Sequence, residues 1–142
     1  MRLRFALTAF LLLSFTALPA LAQRQWRKPR PPKTGACFYM HSNFRGNYFC
    51  MNEGERWPSV PPGFNDQISS IRVFHGARVR IFNDDNFRGV SVRIDGNVGN
   101  LLHFRLANDP YRSWNDRISS IAVIGDRDDW DRGGPGQRRG PQ

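Results

Sequence analysis

Cysteine is scarce in this 142-residue chain, with two residues, and the three histidines stand far apart at His41, His75 and His103. Neither supply makes a zinc site of clustered Cys and His ligands. No serine sits in a nucleophile elbow and no glycine-rich phosphate loop is present. Asn83-Asp84-Asp85-Asn86 is acidic but lacks the remaining spacing of an EF-hand loop. Helical periodicity is missing as well, because no segment carries an apolar stripe at i, i+3 and i+4. These gaps argue against an enzyme and against a helical fold. Acidic residues are also in short supply, 12 against 21 Lys and Arg, for a net charge of +9.

Only one long apolar run exists, residues 5–21, headed by Arg2 and Arg4 and followed by Leu18-Pro19-Ala20-Leu21-Ala22. A positive head, an apolar stretch and small residues at A-x-A positions describe a secretory signal, residues 1–22, with cleavage before Gln23. Ser14, Thr16 and Pro19 weaken the same run as a membrane anchor. The expected location is secreted or periplasmic. There Cys37 and Cys50 can join, since the compartment is oxidising.

The excess positive charge is unevenly placed. Residues 23–34 hold Arg24, Arg27, Lys28, Arg30 and Lys33 with no acid, whereas residues 35–125 hold ten arginines against eight acids. The basicity therefore belongs mainly to a Pro-rich linker, read as a solvated tether with attraction to an anionic envelope surface as the sharper alternative. Nucleic acid is not an expected partner of an exported domain with so small a surplus. The tail, residues 126–142, has little to bury and is expected to be disordered.

Between these ends lies a duplication. Asn43-Phe44-Arg45-Gly46 recurs as Asn86-Phe87-Arg88-Gly89, an offset of 43 residues. Asn65-Asp66-Gln67-Ile68-Ser69-Ser70-Ile71 recurs as Asn115-Asp116-Arg117-Ile118-Ser119-Ser120-Ile121, an offset of 50. The second repeat must carry seven extra residues between Asp95 and Trp114. With the repeats overlaid, Ala36 and Phe38 match Val79 and Ile81, Phe49 and Met51 match Val92 and Ile94, and Ile71 and Val73 match Ile121 and Val123. Each set alternates with polar neighbours, the period of half-buried antiparallel strands, so the chain reads as all-β.

If Cys37 faces Cys50 on a hairpin, facing pairs have numbers summing to 87, and Phe38 then faces Phe49 on the core side. Arg80 and Arg93 occupy the cysteine positions of the second repeat, which sets the cysteines on the outer or edge-facing side. Trp57 and Trp114 are read as packing residues, and Glu53 and Glu55 as a solvated loop pair.

Tyr39 with Phe44 and Gly46, and Phe82 with Phe87 and Gly89, share the spacing aromatic, four residues, Phe, any residue, Gly. This resembles the folded hairpin of the βγ-crystallins, and the two Asn-Asp-x-Ile-Ser-Ser loops resemble that family's calcium signature. The resemblance implies a sandwich of two Greek keys, about 36–75 and 77–125, within a domain spanning 35–125. It implies two calcium sites that exchange ligands between repeats. One would use the Asp66 carboxylate, the Gln67 carbonyl and the Ser119 hydroxyl; its mate would use Asp116, the Arg117 carbonyl and Ser69. A hairpin carbonyl near Met40 and near Asn83 would complete each set, since calcium takes mixed oxygen ligands at flexible geometry. The Cys37 to Cys50 segment is also similar to peptidase inhibitor family I36, which implies an alternative role as a secreted metalloprotease inhibitor.

Overall fold

The computed structural model describes residues 28–125. The expected export signal, the start of the Pro-rich segment and the tail 126–142 lie outside the described residues. In chain order the strands are β1 (Gly35–His41), β2 (Arg45–Asn52), β3 (Arg56–Trp57), β4 (Ser70–Phe74), β5 (Arg78–Asp84), β6 (Arg88–Ile94), β7 (Arg105–Leu106), β8 (Asp109–Ser113) and β9 (Ser120–Ile124). Among the described residues a single 3-10 turn, Leu101–His103, stands before β7.

Among the described residues two larger sheets form, in the orders β2-β1-β4 and β3-β9-β5-β6, and β7 pairs with β8 in a separate two-stranded sheet. The register of β1 on β2 pairs Cys37 with Cys50 and Phe38 with Phe49, as the sum of 87 requires. The second repeat reproduces it, with Ile81 opposite Val92 and Arg80 opposite Arg93. In both hairpins the register shifts before the tip, between Tyr39 and His41 and between Phe82 and Asp84. The extra residue bends the strand pair back over its own sheet.

The third strand of the first repeat leaves its own sheet. β3 pairs with β9, Arg56 opposite Ala122 and Trp57 opposite Ile121. The second repeat answers with one residue: Val98 bridges Ile71 of β4 through two bonds of 2.8 and 2.9 Å. The seven extra residues fall just beyond, in the stretch that holds the 3-10 turn and the β7–β8 hairpin. That hairpin carries Tyr111, 91 % exposed.

Between the sheets the alternating residues meet as the period of two demands. Phe38, Met51, Ile71, Val79, Ile81, Ile121 and Val123 are fully buried in one cluster with Ile68, Ile118 and Trp114. Burial of each such side chain contributes roughly 1.5–3 kcal/mol. Phe38 stacks on Phe49 with ring centres 5.0 Å apart, Phe49 stacks on Trp57 at 5.2 Å, and Phe64 meets Phe49 edge-on at 5.0 Å.

Cys37 and Cys50 form a disulfide across the hairpin, with Cα atoms 4.0 Å apart. Both point away from the core cluster. That outer face is covered all the same, since Cys37 is fully buried. The described end of the Pro-rich segment lies against the same hairpin: the Tyr48 hydroxyl donates to the Pro29 carbonyl at 3.0 Å, and the Glu53 amide donates to Thr34 at 3.0 Å. Replacing both cysteines by serine is expected to keep the strand content and lower stability by roughly 3 kcal/mol, the chain-entropy value for so short a loop. Urea midpoints with a matching circular dichroism spectrum check it.

Candidate functional site

Each Asn-Asp-x-Ile-Ser-Ser loop is pinned at its centre and turned at its start. Ile68 and Ile118 are fully buried. Asp66 and Asp116 take φ of 52° and 53°, the left-handed region that Asp and Asn tolerate better than bulkier residues. The preceding asparagine orients each carboxylate, Asn65 Nδ2 donating to Asp66 at 3.1 Å and Asn115 Nδ2 to Asp116 at 2.6 Å.

The two serines of each loop do different work. Ser70 and Ser120 are fully buried. The Ser70 hydroxyl donates to the His41 carbonyl at 2.6 Å and accepts from the Phe44 amide at 3.1 Å. Ser120 does the same with Asp84 at 2.6 Å and Phe87 at 3.0 Å. One hydroxyl thus satisfies a donor and an acceptor that the hairpin tip would otherwise leave unpaired. Phe44 packs edge-on to Tyr39 at 5.9 Å, and Phe87 to Phe82 at 5.6 Å. Gly46 and Gly89 have φ of +81° and +74°, and a methyl at Gly46 would lie 2.6 Å from the His41 ring.

Ser69 and Ser119, one residue earlier, face the opposite way. Ser69 accepts no backbone staple; its hydroxyl donates across the repeats to Asp116 Oδ1 at 3.4 Å. The Asp116 amide donates to the Ile68 carbonyl at 3.1 Å, so the second loop is bonded directly to the first. Ser119, 7 % exposed, donates to the Asn83 carbonyl at 3.1 Å. The Asn83 side chain is used elsewhere, accepting from the Val90 amide at 2.7 Å. Asp66 and Gln67 are exposed, and Arg117 and Met40 half-buried.

Ser69 and Asp116, expected in one ligand set, are therefore in contact, and Ser119 meets the hairpin carbonyl of Asn83. Asp66 lies near enough for its charge to act on Asp116. Partial burial lifts the Asp116 carboxyl above the ordinary carboxylate value, the Asp66 charge adds to the rise, and the Ser69 hydroxyl opposes it. Among the described residues no three His, Cys, Asp or Glu side chains gather at one point that could hold a metal. The donors on hand are hard oxygens: two carboxylates, two hydroxyls and loop carbonyls. That set suits calcium and no softer ion.

Sequence reasoning assigned ligand roles to Ser69 and Ser119 and none to Ser70 and Ser120. The Ser-Ser pair was the signal, but a hydroxyl that staples and one that could bind an ion look alike in sequence.

Ser70→Ala and Ser120→Ala are each expected to cost about 1–3 kcal/mol, the penalty for stranding buried polar partners; denaturant unfolding of each variant measures it. The raised Asp116 carboxyl favours the metal-free fold below its unfolded-state pKa. That contribution disappears as pH rises through the folded-state pKa. Asp116→Asn should flatten this part of the urea-midpoint profile between acid and neutral pH.

A family model described as peptidase inhibitor family I36 matches residues 28–94. Spherulin-3A of Physarum polycephalum is 30 % identical over 93 residues, covering 66 % of this chain and 84 % of that protein. A βγ-crystallin domain from Flavobacterium johnsoniae superposes with a TM-score of 0.51 at 27 % identity, covering 66 % of this chain and 97 % of that one. The Ca2+-bound βγ-crystallin domain of Abundant Perithecial Protein from Neurospora crassa has the same fold, with a TM-score of 0.53 at 22 % identity over 69 % of this chain and 96 % of that one. With two stapled hairpins, an exchanged third strand and these similarities, the chain belongs to the βγ-crystallin family.

Proposed function

We propose that the protein is an exported, non-catalytic binding domain that holds calcium at two sites shared between its repeats. The observation that carries this reading is the cross-repeat contact of Ser69 with Asp116, backed by the amide bond from Asp116 to Ile68. It brings a hydroxyl of one loop to a carboxylate of the other. The first set comprises Asp66, the Gln67 carbonyl and Ser119; the second comprises Asp116, the Arg117 carbonyl and Ser69; carbonyls near Met40 and Asn83 supplement them. Kinship of fold with the Ca2+-bound Neurospora crassa domain agrees with it. Export follows from the leader at residues 1–22 and suits a compartment in which calcium is plentiful and a disulfide is stable.

With one carboxylate per set, affinity is expected in the range of roughly micromolar to millimolar dissociation constants. A bound ion would clamp the two loops together, so calcium at a hundredfold excess over its dissociation constant should stabilise the fold by about 2.7 kcal/mol per site. Calorimetric titration of metal-stripped protein, paired with thermal melts, tests this. Asp66→Ala and Asp116→Ala should each remove one site. An absence of both heat and melting shift at millimolar calcium would rule the reading out.

A second reading has its own support in the family-model match over residues 28–94. A metalloprotease inhibitor would slow a thermolysin-like protease stoichiometrically. Turnover unchanged at molar excess of the domain removes that alternative without touching the calcium reading.

A further inference from the structure

A cleft of about 240 Å³ opens between the first hairpin, the described end of the Pro-rich segment and the turn that precedes the first Asn-Asp loop. Met40, Tyr48, Phe64, Pro29 and Pro62 make its lining mainly apolar. Lys28 and Asn47 bring the polar side chains, and among the described residues no acid lines it.

The walls are fixed in advance. Tyr48 stacks on Tyr39 at 4.8 Å, and its hydroxyl donates to the Pro29 carbonyl at 3.0 Å. Phe64 is buried edge-on against Phe49 at 5.0 Å, and its amide donates to the Pro61 carbonyl at 3.0 Å. Walls that need no ordering leave more of the contact energy to a ligand.

The duplication supplies an internal comparison. At the offset of 43, Met40, Asn47 and Tyr48 correspond to Asn83, Val90 and Ser91. The Asn83 side chain folds across Gly89, where an added methyl would strike it, and accepts from the Val90 amide at 2.7 Å. Met40 has no amide head with which to do the same, and it packs against the core cluster instead. Gly46 has the His41 ring as its neighbour and is left on the cleft wall. Ser91 brings no ring, and Lys28 and Pro29 belong to the segment ahead of the first repeat. The cleft is thus made from residues in which the first repeat departs from the second, not from what the two share.

We propose that this cleft binds a small aromatic carboxylate, its ring against Tyr48 and Phe64 and its acid group on the Lys28 ammonium. Size selects a single ring, because about 150 Å³ holds a benzene and drug-sized ligands take about 300 Å³ or more. Charge selects the acid. Residues 28–34, which form one wall, carry Lys28, Arg30 and Lys33 with no acid. Lys28 is exposed, so its charge contributes modestly and the ring supplies most of the affinity.

The test titrates the full, metal-stripped chain with phenylacetate and follows the amide signals of Gly46 and Gly63, which both line the cleft, by nitrogen-15 NMR. Stripping the metal makes the outcome independent of the calcium reading. Both signals should shift saturably. Phenylacetamide, the neutral analogue, and Lys28→Gln with phenylacetate should each bind roughly two- to fivefold more weakly, the loss of one exposed charge pair. Met40→Asn, which copies the second repeat and so suits the hairpin, should close the hollow over Gly46 and abolish the shifts while the rest of the spectrum stays dispersed. Unmoved Gly46 and Gly63 signals at tens of millimolar phenylacetate overturn the proposal. So does phenylacetamide binding as tightly as phenylacetate, or a folded Met40→Asn that keeps full affinity.

Discussion

A buried serine hydroxyl, repeated once per half, holds the geometry on which everything near the loops depends. Ser70 and Ser120 each take a hairpin carbonyl and a hairpin amide at once. A hairpin folded over its sheet cannot extend its own ladder to those groups, and the bonds that replace it are part-buried. The hydroxyl fills both needs and fixes where the strand after each loop begins. Because neighbouring residues of an extended chain face opposite sides, anchoring Ser70 turns Ser69 toward the other repeat. The side chain that bonds to Asp116 is thus aimed by the one that does not.

The halves are interdependent in a second way. The first repeat gives the second a strand, β3, while the second returns a single bridging residue, Val98. The seven extra residues lie after Val98, in the stretch that holds the 3-10 turn and the β7–β8 hairpin. The two loops differ accordingly. Ser69 is bonded to a carboxylate and Ser119 to a carbonyl, so hexapeptides that differ only at Gln67 and Arg117 offer two unlike sets of oxygens.

Much of this was legible in the residues. Period-two alternation located the strands, and the two cysteines set a hairpin register that Phe38 and Phe49 obey. The mismatch between offsets of 43 and 50 located the insertion before any strand was assigned. Other features were not legible. The burial of Cys37 depends on what crosses its outer face, which alternation along β1 does not reveal. The 3-10 turn at Leu101–His103 is too short to leave a periodic trace. The division of labour within Ser-Ser depends on which groups a hairpin tip leaves unpaired, a property of the tertiary fold. The meeting of Ser69 with Asp116 came from family likeness, since no local pattern in either loop encodes its partner.

The departure of β3 from its own sheet bears on how the molecule came to exist. Half of this chain, alone, would carry a strand with no sheet to join and an open edge on β4 with nothing beside it. Such a unit could close only by trading that strand with a second copy of itself, as a swapped dimer related by a twofold axis. Fusing two copies in tandem makes the trade intramolecular and independent of concentration. Each copy is then free to diverge on its own, as the lengthened second half has done.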